Sequence, residues 1–319
     1  MDDMLLLMPF FRDYEQCLKE ALGHKYNVTL VNCDQYSRKT VEEYLTIRRR
    51  MRHIRALPAL RPRVDLWNKR MACNSLNRSL LSEINTEKKA YQAILCINCQ
   101  CIGDGVLRTI RNNNPTAKMI YYLWDDIKNL FYLPNTSCFD HVFSYNIDEC
   151  REKEWEYLPV FTQKGRLGHA KQNKYDIAFV GTAHPNRIEL ANEIFNRYSG
   201  QYKIFIYLYD PQGIGGSFCH KEPLSYDMYM EIMRESDVFL DDPYEGQTGP
   251  TTRVFDALQT DTKILTTNDS ISHYPVYSPN IAVLDRNHIE ISPDFVLQPY
   301  KKTEYQPLTV EEWIEAIGL

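Results

Sequence analysis

Short apolar runs alternate along the chain with longer stretches whose apolar residues recur at helical intervals. The run MLLLMPFF, Met4 to Phe11, predicts a buried strand, and RDYEQCLKEAL after it has helical spacing that ends at Gly23. YNVTLVN follows as a second strand, so the chain opens on the strand, helix, strand order of a parallel α/β unit. Residues 36 to 88 are charged and helical in pattern. Strands return with YQAILCIN, then a helix from about Gly105 to Asn112, then AKMIYYLW, with FDHVFSYN and WEYLPVF as two further short strands. The segment FTQKGRLGHAKQNK is polar, contains glycine and lacks an apolar period, which predicts a linker. The pattern then restarts. Strand YDIAFVG, a helix from about Pro185 to Arg197, strand YKIFIYLY, helix SYDMYMEIMRES and strand DVFLDD follow in turn, then a helix from near Thr251 and strands TKILTTN and NIAVLD. TVEEWIEAIGL, with a threonine cap and acidic residues in its first turn, predicts a terminal helix.

The expected fold class is therefore α/β, two Rossmann-like domains with parallel sheets facing across a cleft. The boundaries read from the pattern are an N-terminal domain over 1–160, a linker over 161–174, a C-terminal domain over 175–307 and a terminal helix over 308–319. Open parallel sheets bind ligands at the carboxyl ends of their strands, which is where candidate chemistry is sought.

Composition narrows the partners. The 319 residues are 44% hydrophobic and 25% charged, ordinary for a globular protein, and the formal net charge of -5 speaks against nucleic acid as a partner. Nine cysteines, an odd number, and an acidic start at Met1-Asp2-Asp3-Met4 where a signal peptide would be basic, set the expectation of a cytoplasmic protein. Arg48, Arg49, Arg50, Arg52, Arg55, Arg61 and Arg63 form a basic run with two readings: a solvated helix face, or a peripheral contact with anionic lipid.

The stretch EGQTGPTTRVFDAL, Glu245 to Leu258, comes directly after a strand and directly before a helix. Gly249 can take a positive φ, Pro250 suits a helix start, and the amides of Thr251, Thr252 and Arg253 would face an anion, with the Arg253 side chain one turn in. A plain connecting loop is the other reading. FVGTAHPNR, Phe179 to Arg187, is a second loop of the same kind: Gly181 and Thr182 close a strand, Pro185 opens a helix, and His184 and Arg187 are candidates for diphosphate or sugar contacts. PQGIGGS lacks the full dinucleotide fingerprint spacing and predicts a loop over the cleft. CINCQC has a CxxC spacing without a second pair to complete four zinc ligands, so buried structural cysteines are expected at Cys96, Cys99 and Cys101. Asp125 and Asp126 follow a strongly apolar strand, so one carboxylate can stand at the sheet edge as a catalytic base while the other caps the next helix. Asp148 and Glu149 pose the same alternative.

YYLWDDIKN, FDHVFSYNIDEC, EYLPVF, DIAFVGTAHPNR and above all DVFLDDPYEGQTGPTTRVFDALQTDTKILTTN resemble, in order and spacing, the CgeB-like glycosyltransferases and related bacterial lipopolysaccharide and capsule biosynthesis proteins. These are similar to the wider GT-B group. The resemblance covers about residues 90 to 285 and implies a donor nucleotide sugar held mainly by the C-terminal domain and a glycan or lipid-linked glycan acceptor held by the N-terminal one. Carried onto this chain, it implies that Gln247, Thr248, Gly249 and Arg253 line the donor diphosphate and that Gly181 and Thr182 form the opposing loop. Asp256 stands where relatives commonly have glutamate, a residue that binds ribose or sugar hydroxyls in many GT-B enzymes, and its reach is one methylene shorter. Asp125 is the candidate base for an inverting transfer. No Asp-x-Asp motif occurs, so neither a metal nor any cofactor beyond the donor is expected. The implied activity is transfer of a sugar from a nucleotide diphosphate to a surface polysaccharide or lipopolysaccharide acceptor, in the cytoplasm or at the inner membrane face. A sugar-nucleotide epimerase and a non-catalytic sugar-nucleotide-binding protein of a glycan assembly complex are the alternatives.

Overall fold

The computed structural model describes residues 1–51, 61–75, 77–84, 89–170 and 172–319, so Arg52 and Arg55 of the basic run lie outside the described residues. Two compact units are present: Met1–Leu158 together with Val310–Leu319, and Pro159–Thr309.

The first unit is built from β1 (Asp2–Met8), α1 (Tyr14–Leu22), β2 (Tyr26–Asn32), α2 (Ser37–Arg50), α3 (Arg61–Ser75), α4 (Asn77–Ile84), β3 (Ala93–Ile97), α5 (Asp104–Asn113), β4 (Lys118–Leu123), β5 (His141–Ser144), α6 (Ile147–Lys153) and β6 (Glu156–Tyr157). Its six strands are parallel in the order β2-β1-β3-β4-β5-β6. Met4 to Met8 of β1 and all of β3 are buried, because helices cover both faces of a parallel sheet; this is why those strands read as unbroken apolar runs. The first strand stops earlier than its pattern. Pro9 has no amide to give the ladder, the chain turns through positive φ at Arg12 and Asp13, and Phe10 and Phe11 are left 48% and 47% exposed.

The second unit holds β7 (Tyr175–Thr182), α7 (Pro185–Tyr198), β8 (Ile204–Tyr209), β9 (Cys219–His220), α8 (Tyr226–Arg234), β10 (Ser236–Asp241), α9 (Thr252–Gln259), β11 (Lys263–Thr266), β12 (Ile281–Val283) and α10 (Pro293–Leu297). Strand order is β12-β11-β10-β7-β8-β9, again all parallel. The chain winds outward from β7 through β8 to β9, then crosses back to β10 on the other side of β7. The β7/β10 pair is thus the topological switch point, where adjacent loops part and leave a crevice.

Residues 161–170 and 172–174 run along the second unit. The amides of Leu167 and Gly168 donate to the Gln259 carbonyl at 2.8 and 2.9 Å, Ala170 donates to Arg234 and Lys174 to Glu235, each at 2.9 Å, and Arg166 pairs with Asp261 at 2.6 Å. Between β8 and β9, Asp210 accepts the amides of Ile214 and Gly215 at 3.0 and 2.8 Å, closing the PQGIGGS turn, in which Gly213 and Gly215 take φ of 71° and 82°. The last helix, α11 (Val310–Ala316), belongs to the first unit. Trp313 is fully buried there, edge-on to Tyr122 with ring centroids 4.8 Å apart, and Lys25 donates to the Leu319 carbonyl at 2.8 Å.

Candidate functional site

Four loops leave the carboxyl ends of β7, β10, β11 and β12 and surround a cavity of about 530 Å³. His184 to Arg187 line it from the β7 side, Asp242 to Thr248 from β10, Thr267 to Asp269 from β11, and Arg286 from β12. It opens at the switch point, so its position follows from the strand order alone.

Two successive aspartates stand at this end of β10: Asp242, just past the strand, lines the cavity, and Asp241, the strand's last residue, lies behind it. Asp241 is fully buried; one carboxylate oxygen accepts from the Thr251 hydroxyl and from Nε of Arg253, both at 2.7 Å, and the other from the Thr266 hydroxyl at 2.8 Å. Asp242, also buried, accepts from the Thr267 hydroxyl at 2.6 Å, from Nε of Arg187 at 3.4 Å and from Arg286. Its backbone carbonyl accepts from Arg187 and, at 3.2 Å, from Arg253. Three guanidinium groups therefore surround two carboxylates, as buried charges require partners. Burial, with the Arg253 charge beside it and Asp242 opposing, lowers the Arg187 guanidinium to about 10, so it remains charged at neutral pH. Burial and the Arg187 charge also lower the His184 imidazole below its ordinary value, keeping it neutral there. Arg187 and Arg253 are buried, whereas the Arg286 side chain is 37% exposed and also donates to the Asn186 carbonyl at 3.0 Å.

Of the residues singled out in the sequence, Arg187, Gln247, Thr248 and His184 line this cavity. Gly181, Thr182, Gly249, Thr251, Thr252 and Arg253 are not among the lining residues, and several of them build the wall behind it. A Cβ on Gly181 would stand 3.3 Å from Cδ of Arg187, so the glycine makes room for that side chain. The Thr182 carbonyl accepts from Arg187 at 2.6 Å. Thr251 is the N-cap residue of α9, its hydroxyl directed to Asp241, and Thr252 is the first residue of that helix. Asn268 bridges from β11 by donating to the Thr248 carbonyl at 3.0 Å and to that of Gly249 at 3.4 Å. Asp256 is directed elsewhere: its two oxygens accept the hydroxyls of Tyr226 at 2.8 Å and Tyr229 at 3.2 Å, both on α8. Asp242, Asn268 and Arg286 were not foreseen as site residues. Asp242 and Arg286 come after apolar strands just as His184 does, so the rule that selected one carboxyl-end loop could have selected theirs.

Asp125 lies in the first unit, at the carboxyl end of β4. Its carboxylate accepts from Nδ2 of Asn98 at 2.6 Å, and burial, with Asp126 and Asp34 nearby, raises its pKa to about 6 although the Asn98 bond opposes this. Asn98 follows β3 in the left-handed region, φ 50°. Asp126 occupies the N-cap position of the 3-10 turn Ile127–Asn129, yet its side chain makes no cap bond. Tyr145 and Asn146, from the end of β5, donate to it instead at 2.7 and 2.9 Å, and the Ile127 amide is accepted by Glu149 at 2.6 Å. Burial raises Glu149 to about 7, while Asp148 is paired with Arg151 at 3.3 Å. Cys96, Cys99 and Cys101 are buried near the end of β3, where the Cys99 thiol donates to the Leu7 carbonyl at 3.3 Å. Among the described residues no group of His, Cys, Asp and Glu is arranged to hold a metal ion.

No protein-family model and no curated protein matches the chain. Among solved structures it is similar to one described as the apo structure of OtsA, with a TM-score of 0.53 and 11% identity over 89% of each chain. It is also similar to the S. aureus MnaA–UDP co-structure, with a TM-score of 0.45 and 9% identity over 83% of this chain and 79% of that one. A UDP-N-acetylglucosamine 2-epimerase gives a TM-score of 0.44 and 11% identity over 90% and 85%. Two parallel six-stranded sheets with flanking helices, and the first of these likenesses, establish the GT-B fold.

Proposed function

We propose that the protein is a metal-independent GT-B glycosyltransferase that moves a sugar from a nucleotide diphosphate to a glycan acceptor of the surface-polysaccharide or lipopolysaccharide type, as the CgeB-like resemblance implies. The observation that carries this reading is the polar cavity at the β7/β10 switch point, with Arg187, Gln247, Thr248 and Arg286 around it. Such a crevice suits a ligand with phosphates and many hydroxyls: Arg286 offers a partly exposed guanidinium, Thr267 and Thr248 offer short polar side chains, and the carboxylates of Asp242 and Glu245 can accept sugar hydroxyls. Arg187 and Arg253 would act mainly by holding Asp241 and Asp242 in place, since both are buried against them. Asp125, near neutrality in pKa, would take the acceptor proton in an inverting transfer. A lipid-linked acceptor would bring the enzyme to a membrane face.

A thermal-shift series with UDP, GDP, CDP and dTDP sugars tests the donor site. One nucleotide class should raise the melting temperature, and Arg286→Ala should weaken its binding about tenfold, the size of one charge-assisted hydrogen bond. No shift with any class sinks the reading. Incubation of the recognised sugar nucleotide without acceptor then separates transfer from epimerisation, which would alter the sugar unaided. Binding without turnover across an acceptor panel would indicate the non-catalytic alternative.

A further inference from the structure

Helices α2 and α3 pack on one another through Tyr44, whose hydroxyl donates to Asp65 at 2.7 Å. Their inner stripes, Thr40 and Tyr44 on α2 and Asn68 and Ala72 on α3, are buried. The outer faces are not covered by any described residue of the chain. On α2, Val41 and Leu45 are 39% and 40% exposed; on α3, Leu66, Trp67 and Met71 are 59%, 47% and 42% exposed. Trp67 and Met71 lie four residues apart on one stripe of α3, as Val41 and Leu45 do on α2, and Leu66 widens the exposed apolar face beside Trp67.

Charge is concentrated on the same pair. Together the two helices carry nine basic against three acidic residues, in a chain whose formal net charge is -5. Arg49, Arg50, Arg61 and Arg63 are exposed. Arg70 and Lys69 are occupied inward, by Asp104 at 3.0 Å and by the Phe131 ring at 5.3 Å, so the exposed arginines and not these carry the outward field.

We infer that the α2–α3 face is a docking surface for an anionic lipid bilayer, with the exposed arginines on headgroup phosphates and Leu66, Trp67 and Met71 in the interfacial layer. A nucleic acid would satisfy the arginines but offers little to exposed Leu66 and Met71, whereas a bilayer interface accepts both kinds of side chain, tryptophan in particular. Attraction between a basic patch and anionic headgroups is additive over residues and acts only within a Debye length, so an overall acidic chain can still dock through a basic face.

Flotation with phosphatidylcholine vesicles, with and without phosphatidylglycerol, tests this on the full chain. The protein should float with the anionic vesicles, remain behind with the neutral ones, and lose binding as salt rises. Arg49→Gln combined with Arg63→Gln should weaken partition about fivefold for each charge removed. Trp67→Ala should weaken it further, with Leu66→Ala as a second apolar variant should the first fail to fold. Tryptophan emission should shift to the blue on binding in the parent and not in Trp67→Phe. Absence of binding to anionic vesicles at low salt overturns the assignment. So does binding that ignores both the charge and the apolar substitutions, or tight binding to single-stranded DNA that ignores Trp67→Ala and Leu66→Ala. Lipid docking rests on this helix pair and nucleotide-sugar binding on a pocket in the other unit. A thermal shift by nucleotide sugar, measured on the same preparation without vesicles, therefore tells failure of one from failure of the other.

Discussion

Asp125 is a carboxylate kept close to the pH at which a general base is useful, and Asn98 is the side chain that holds it. Its folded pKa of about 6 lies above the ordinary 3.8, so between those values the folded protein keeps a proton that the unfolded chain has released. Stability attributable to this group is therefore greatest below about pH 4 and falls as pH rises through about 6. Asp125→Asn should stabilise the protein relative to its parent above pH 6 and not below pH 4, as read by urea denaturation at several pH values. Turnover that uses Asp125 as base should rise through the same pKa. Asn98→Gly, which tolerates the left-handed backbone at φ 50°, removes the bond that lowers this pKa and should move the ascending limb to higher pH. An unmoved limb would show that Asn98 does not position the base.

At the scale of elements, Asp256 ties α9 to α8 through two tyrosine hydroxyls. Asp256→Asn should cost about 1 to 3 kcal/mol, the range for disturbing a buried charge-assisted hydrogen bond, and leave nucleotide-sugar affinity unchanged; a loss of affinity at unchanged stability would reassign the residue to the donor. This residue also shows where sequence reading stops. The parallel strands were legible because burial on both faces leaves continuous apolar runs, and the loops at Gly181 and Gln247 were legible because they sit between such a run and a helix start. Strand β9 and helix α10 have only two and five residues, too short to show a period. Side-chain direction was not legible either. Spacing puts Arg187 and Arg253 near a helix start, but whether they turn to a ligand or to a buried carboxylate depends on Asp241 and Asp242, which reach them only through the fold. Likewise nothing local to Asp256 announces Tyr226 and Tyr229.

The whole molecule is divided unevenly along its sequence. The second unit is one continuous segment, whereas the first is closed by Val310–Leu319, with Trp313 buried against Tyr122 and Lys25 holding the Leu319 carbonyl. Trp313→Ala should cost about 3 to 5 kcal/mol, typical of emptying a large aromatic site, and the loss should fall on the first unit. Calorimetry of that variant should show one transition moved down and the transition of the second unit unchanged; a uniform shift would mean that the two units unfold together. The same discontinuity sets an order of events during synthesis. Residues 1–158 emerge from the ribosome first but remain without their last helix until all of 159–309 has followed, so the usual sequence of N-terminal domain first is reversed in completion. Until Val310–Leu319 is made, the side of Tyr122 on β4 that receives Trp313 is uncovered, an apolar surface that the newly made chain leaves open to association while its second unit already has all of its residues.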